Sequence, residues 1–276
     1  MPTPSHAESL PPAPGEGGPR RGKESLADLA YQRMEEMLVR CELQPGRFLA
    51  MHELQTLIGF GRTPVHQAVA RFAADTLMVV SPRHGVQIAP IDLTRERLLL
   101  DLRRDVERFV VQLATRRAGA SHRNQMMHIR RQLIEHGAGM GIDRFNLVDR
   151  RIDQLMLSAA AEPFVESTLR PLHTVFRRLG WIFHTHAPGE NDVRGSIEGH
   201  IAVIDAVASQ NLEGAIAASD RLMDFVADMF VVLEREVPPQ MLDCSVAADA
   251  HLFAASPRTA AGTPLAPGVV QALRPA

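Results

Sequence analysis

Gly59-Phe60-Gly61-Arg62-Thr63-Pro64-Val65-His66-Gln67-Ala68-Val69-Ala70-Arg71-Phe72 is the stretch on which the fold turns. A glycine corner follows the short apolar-periodic segment 51–58, and a second helix pattern opens at Arg62, where Pro64 is tolerated because first-turn amides lack intrahelical partners. Val65, Val69 and Phe72 recur at spacings of four and three, so they share one face and leave Arg62, His66 and Gln67 pointing elsewhere. A polar face at the start of a helix, backed by a second helix, can carry side chains into a DNA major groove. A plain helical hairpin with solvated charges has the same pattern.

The flanks separate the two readings. Residues 26–40 form a helix pattern with Leu29, Met34, Met37 and Leu38 as core positions, stopped by Pro45-Gly46. Residues 76–80 and 86–88 are short strand-like runs joined by Ser81-Pro82-Arg83-His84-Gly85, a hairpin with an Arg83-His84-Gly85 tip. Three helices and a hairpin make a winged helix-turn-helix.

The 276 residues suit two domains, and a hydrophobic content of 45% is ample for two cores. Net charge is -2, and residues 26–90 carry six arginines against six acids, so a basic surface has to come from placement. Cys41 and Cys244 are too few for a disulfide framework and fit a reducing cytosol. No apolar run approaches a membrane span, and the first 25 residues lack the apolar core of a secretory signal, so the chain is expected to be soluble and cytoplasmic, with no membrane partner.

Taken in order, residues 1–24 read as a disordered tail, 25–90 as the winged domain, 91–237 as an all-α domain and 238–276 as a weakly ordered tail in which 241–253 could dock as an extra helix. Asp92 or Thr94 can cap the first helix of the second domain, along which Leu98, Leu102, Val106, Phe109 and Leu113 form one apolar stripe. Further helix patterns cover 121–135, 143–161, 163–184, 192–210 and 212–237, giving about six helices, with breaks at Gly137–Gly141 and Pro188-Gly189. The fold class is mostly α: a winged helix-turn-helix followed by a helical bundle large enough to hold a pocket.

Pro45-Gly46, Leu54, Leu57-Ile58-Gly59, Arg62-Thr63-Pro64-Val65, Ala68, the Arg83-His84-Gly85 wing and Val86 together resemble the DNA-binding domain of the GntR family of bacterial regulators. Three positions depart from the family pattern: Gly61 in place of a capping serine, His66 in place of a second arginine and Gln67 in place of glutamate. A neutral imidazole at His66 lacks the fixed charge and bidentate fork of arginine, so base preference is expected to differ. In this reading Arg62 and His66 read bases, His52, Thr63, Arg71 and Arg83 contact phosphate, and His84 and Gly85 approach the minor groove.

The second domain resembles the FCD effector domain of the FadR-type branch, on Leu102-Arg103 with Glu107, on Val148 to Asp153, on His200 to Val207 and on Asn211 to Ala215. The resemblance implies a homodimer that binds a double-stranded DNA operator under control of a small metabolite, a carboxylic acid or a relative of one. It also implies a divalent metal, zinc or similar, held by one aspartate and three histidines. Asp149 and His200 match two of those ligands, while Asp153 stands where a histidine is expected and Leu222 replaces the last one. Asp149 and Asp153 share a helix face, so with His200 they form a reduced ligand set, and the alternative is pairing with arginines such as Arg103 or Arg150. The metal is therefore expected to be absent or weakly held.

Arg103 is the candidate carboxylate anchor of an effector site comprising Arg103, Asp149, Asp153 and His200, its alternative being an ion pair with Glu107 one turn on. His184 and His186, beside Trp181, could line the same cavity or cap a helix end. Two other functions stay open: a DNA-binding regulator without a small-molecule effector, and a metal-dependent hydrolase using Asp149, Asp153 and His200. The hydrolase lacks an accompanying nucleophile–base pair or phosphate loop, so an enzyme is not expected.

Overall fold

The computed structural model describes residues 25–187, 189 and 192–246. The predicted N-terminal tail and the end of the C-terminal one lie outside these residues. Helix α1 (Leu26–Val39) starts at Ser25, whose hydroxyl accepts from the Asp28 amide at 3.1 Å. Its buried face, Ala30, Tyr31, Met34 and Leu38, packs on α3 (Arg62–Ala74), where the Tyr31 and Phe72 rings stack with centroids 4.3 Å apart. Helix α2 (Met51–Ile58) ends on Gly59 at a φ of 79°, the left-handed cap that sets the corner before α3.

Three short strands close the winged domain. β1 (Phe48–Leu49), β2 (Met78–Ser81) and β3 (Gly85–Ile88) form an antiparallel sheet in the order β1-β3-β2, with Leu49 opposite Val86 and Ser81 opposite Gly85. A Cβ at Gly85 would stand 2.2 Å from the Leu49 carbonyl oxygen, so only glycine lets the wing fold this close to β1. The first wing strand begins later than the run from residue 76, because Thr76 turns into the left-handed region at a φ of 60° on leaving α3.

Asp92 caps α4 (Leu93–Arg117) by accepting from the Arg95 amide at 3.1 Å. There follow α5 (Ala120–His136), α6 (Ile142–Ala160), α7 (Pro163–His186), α8 (Arg194–Ala208) and α9 (Leu212–Glu236). α4 packs against α6, α7, α8 and α9, while α7 also reaches α1 of the winged domain. A short α10 (Pro239–Leu242) returns to the winged domain, where the Ile91 amide donates to the Leu242 carbonyl at 2.8 Å and the Cys244 amide to that of Pro45 at 2.9 Å. The segment expected to be loose thus docks up to residue 246 as a strap between the domains.

The apolar stripe of α4 faces outward. Leu98, Leu102 and Phe109 are 68%, 48% and 49% exposed, and Val106 and Leu113 are half-buried. The inward face carries Leu100, Val110, Val111 and Ala114 together with Glu96 and Arg103, so this helix buries charge and presents hydrocarbon to its surroundings.

Candidate nucleic-acid interface and bundle cavity

At the start of α3, Arg62, Thr63 and His66 are exposed, because Val65, Ala68, Val69 and Phe72 take the opposite face into the core. His52 on α2 and Arg83 and His84 at the wing tip are exposed as well, and Gly85, half-buried, opens β3 directly after the tip. No carboxylate among the described residues forms an ion pair with Arg62 or Arg83, which leaves both cations available for phosphate or base edges. Arg71 departs from this group. It donates to Asp28 at 3.0 Å and lies 3.8 Å over the Tyr31 ring, in the cleft between the two domains. The step of nine residues from Arg62 to Arg71 is about two and a half helical turns, which puts Arg71 on the side of α3 that faces α1.

The bundle encloses a cavity of about 60 Å³ among α4, α6, α7, α8 and α9. Its lining combines charged and polar side chains, Arg103, Asp149, His173, Arg177 and His200 among them, with apolar ones such as Phe145, which packs edge-on against His200, and Phe176, which lies under Arg103. His173, Arg177, Gly180 and His184 recur along α7 at spacings of four, three and four, which places all four on the cavity face.

Arg177 is the centre of the charged lining. Its Nε donates to Asp149 Oδ2 and its Nη2 to Asp153 Oδ2, each at 3.0 Å, and its Nη1 lies 3.4 Å from Glu35 Oε1. Burial disfavours the charged guanidinium, but the Asp153, Asp149 and Glu35 carboxylates more than offset this and raise its pKa further. His200 Nε2 lies 2.7 Å from Asp149 Oδ1, and its Nδ1 lies 2.7 Å from the Ser196 carbonyl oxygen. His173 sits between carboxylates, Nε2 at 2.8 Å from Glu107 and Nδ1 at 3.1 Å from Asp153.

These contacts split the acids. Burial opposes ionisation of Asp149, yet the hydrogen bond and charge of His200, with Arg177, hold its carboxyl well below the usual range. Burial likewise opposes Glu107, and His173 and Arg103 overcome it to bring its carboxyl down to about 2. Asp153 goes the other way: burial, helped by the charge of Asp149, raises it in spite of His173 and Arg177.

Of the four expected effector residues, Arg103, Asp149 and His200 line the cavity. Asp153 lies beyond Arg177, against the interdomain cleft. Arg103 also makes the alternative contact, its Nε donating to Glu107 at 3.1 Å, and its guanidinium lies 5.1 Å from the centre of the Phe176 ring. Its terminal nitrogens bond no described residue. Trp181 donates to Asp143 at 3.2 Å and His186 leans on its ring, outside the cavity, whereas His184 is buried in the cavity wall.

The donors proposed for a divalent ion are engaged with one another. Both Asp149 oxygens and both His200 nitrogens have partners, Asp153 holds Arg177 and His173, and the leucine at 222 lies against Gly199. Among the described residues no group of three or more His, Cys, Asp or Glu is arranged to hold a metal ion. The side chains as they stand do not fit one, because a cation joining Asp149 to Asp153 would have to displace the guanidinium already between them. Sequence reasoning missed Arg177, His173 and the buried Glu35 of α1; the polar spacing along α7 was the signal.

A winged helix-turn-helix followed by an all-α domain with a cavity between its helices defines a two-domain regulator of the DNA-binding class. The profile of the gntR family of bacterial regulatory proteins matches residues 26–88, and that of the FCD domain matches residues 98–225. The chain belongs to the GntR family and carries an FCD domain behind its winged helix; the family's members are transcriptional regulators, not enzymes. An uncharacterized HTH-type transcriptional regulator of an unstable DNA locus in Streptomyces ambofaciens is 31% identical over 74 residues, a match spanning 27% of this chain and 31% of that relative. The fold is similar to that of E. coli McbR/YncC, with a TM-score of 0.66 at 17% identity over 76% of this chain and 98% of that one. A GntR transcriptional regulator from Rhodococcus sp. RHA1 is similar with a TM-score of 0.53 at 16% identity, covering 74% and 97% of the two chains. No described helix is long and apolar enough to cross a membrane.

Proposed function

We propose that the protein binds a double-stranded operator as a homodimer and that a small carboxylic acid held in the bundle cavity controls its affinity. The observation that carries the effector reading is the cavity lining: Arg103, Arg177 and His200 all reach it, and Asp149 is the one acid among the described lining residues, while Glu107, Asp153 and Glu35, which also pair with the two arginines, lie outside it. The Nδ2 of Asn146, a buried donor with no partner, adds a further group suited to an acceptor oxygen. The lining phenylalanines and Met229 suit a short apolar tail, and a volume near 60 Å³ limits the ligand to a few heavy atoms unless the walls part. Arg103 is the anchor, since its terminal nitrogens remain for a bidentate carboxylate.

Homodimerisation is supported by α4, whose hydrocarbon face needs a cover. A second copy laid on this face would set the spacing of two α3 helices over adjacent half-sites. Arg62 and His66 then read bases, His52, Thr63 and Arg83 hold phosphates, and the His84-Gly85 tip enters the minor groove. An effector preferring one arrangement of the bundle shifts the population competent for the operator.

The test is a thermal-shift screen of the full chain against acetate, lactate, pyruvate, succinate and glutarate, paired with operator selection from random duplexes. A ligand at 100 times its dissociation constant adds about 2.7 kcal/mol of stability. The expected outcome is a saturable rise with one acid that Arg103→Ala removes. No shift with any acid, or a shift indifferent to Arg103, would refute the effector reading.

A further inference from the structure

Glu35 belongs to α1 of the winged domain, yet its carboxylate partners come from the other domain. Thr174 Oγ1 donates to Oε1 at 2.6 Å, Arg177 Nη1 lies 3.4 Å from the same oxygen, and Arg150 contacts Oε2. Burial opposes its ionisation, but Arg177 and Arg150 with the Thr174 hydroxyl hold its carboxyl below the usual range. The anion is therefore fixed in place by α6 and α7.

Arg177 holds Glu35 with one nitrogen, Asp149 of the cavity with a second and Asp153 of the cleft with the third. It forms part of the wall of three spaces: the bundle cavity, a cleft of about 540 Å³ beside α1, and a pocket of about 140 Å³ that includes Glu36, Val39 and Arg40. Helix α1 thus has room on both flanks and a charged anchor between them. It also carries α3 with it, because Tyr31 stacks on Phe72 and Asp28 pairs with Arg71.

We infer that Arg177 and Glu35 form a relay between the bundle cavity and the DNA-binding domain, by which charge arriving at Asp149 repositions α1 and the recognition helix. A guanidinium presents its donors in one rigid plane, so it cannot keep Asp149, Asp153 and Glu35 while turning towards an incoming carboxylate. The contact with Glu35 is the longest of the three and yields first. Arg177 and Glu35 are positioning residues in this scheme. The direction of the switch rests on the cavity being the effector site, whereas the coupling itself does not need a ligand.

The coupling is tested by amide hydrogen exchange of residues 31–39 in the full chain, comparing wild type, Asp149→Asn, Glu35→Gln and the double variant. Asp149→Asn frees part of the guanidinium and should change exchange in α1 by about tenfold, the scale of one altered charge-assisted hydrogen bond. In the Glu35→Gln background the same change should move it by less than about twofold, because the route through Glu35 is already cut, whereas independent sites would add. Equal effects in both backgrounds, or none in either, would overturn the relay. Should Glu35→Gln lack a native circular-dichroism spectrum, Thr174→Val, which removes one bond to the carboxylate, takes its place in the cycle.

Succinate and glutarate then separate the relay from the effector reading. An acid that raises the melting point of wild type and Glu35→Gln alike but alters α1 exchange only in wild type supports both. An acid that alters α1 exchange equally in the two proteins overturns the relay and keeps the effector site. If neither of these acids nor any other in the screen binds, the effector reading fails and the mutant cycle alone decides the relay.

Discussion

His200 and Asp149 meet at 2.7 Å, Nε2 to Oδ1, while the opposite ring nitrogen of His200 lies 2.7 Å from the Ser196 carbonyl oxygen. A carbonyl can only accept and an ionised carboxylate can only accept, so both imidazole nitrogens donate and the ring is a cation. Burial works against that charge, but the bond to Asp149 and its negative charge raise the histidine above its ordinary 6.5. The aspartate is correspondingly held below its ordinary 3.8.

The pair predicts a window of stability. A raised histidine contributes fully below 6.5 and loses its contribution as pH climbs through its folded value; a depressed aspartate contributes above 3.8 and loses it as pH falls. His200→Gln should therefore cost about 3 kcal/mol near pH 6, the scale for breaking a buried pair, with the gap to wild type closing at alkaline pH. Urea unfolding across a pH series measures this. A gap of constant size would show that the imidazole is not a cation in the fold.

Glu96, like His200, predicts stability that is lost as pH rises, here beginning at lower pH. Burial at the start of α4, only partly relieved by Arg178 and Arg95, pushes its carboxyl up to about 8, and its Oε2 has no hydrogen-bond partner. Its folded value exceeds its unfolded one, so stability is present below about 4.5 and is lost as pH rises towards 8. Glu96→Gln, which mimics the neutral acid, should match wild type near pH 4 and exceed it above pH 8 by a few kcal/mol, since each unit is worth about 1.4 kcal/mol. A melting-point series for the two proteins gives the answer, and parallel curves would contradict the neutral acid.

The two arginines of α3 should behave differently on DNA. Arg62→Ala is expected to cost about 1–3 kcal/mol of operator binding and to relax base preference, and Arg83→Ala to lower the salt slope by about one. Arg71→Ala should leave that slope unchanged, because its guanidinium is spent on Asp28 and Tyr31. Fluorescence anisotropy over a salt titration separates these outcomes. A reduced slope for Arg71→Ala would return it to the phosphate contacts.

What the sequence made legible follows from range. Helices α1 to α9 announce themselves by local periodicity, caps and glycine corners, which is why Gly59 and Asp92 mark real boundaries. β1 has two residues and no period, so only its pairing with β3 defines it. Asp149, His200 and Arg103 were identifiable by motif, but their partner Arg177 lies in another helix and Glu35 in another domain, and no local pattern encodes such a meeting. The inward charge of α4 was hidden for a related reason: a rule that sends apolar residues inward takes the single chain as the whole assembly.

That helix supplies the last prediction. Leu98, Leu102 and Phe109 are exposed on one side of α4 while Arg103 and Glu107 on the other side are tied into the bundle, so the helix cannot rotate its hydrocarbon inward without breaking a buried ion pair. If a second copy covers this face, placing a charge there penalises the dimer and spares the monomer, because the side chain is solvated once the copies separate. Leu102→Glu should therefore raise the dimer dissociation constant by about a hundredfold or more, on the scale of 2–4 kcal/mol for a central interface residue, without lowering the melting point of the separated chain. Sedimentation velocity over a concentration series reads the effect, and an unchanged dimer would assign the interface to another face. Arg103 neighbours Leu102 in sequence and lines the bundle cavity, so if that cavity takes the proposed effector, the same helix would carry dimer contacts and ligand contacts one residue apart.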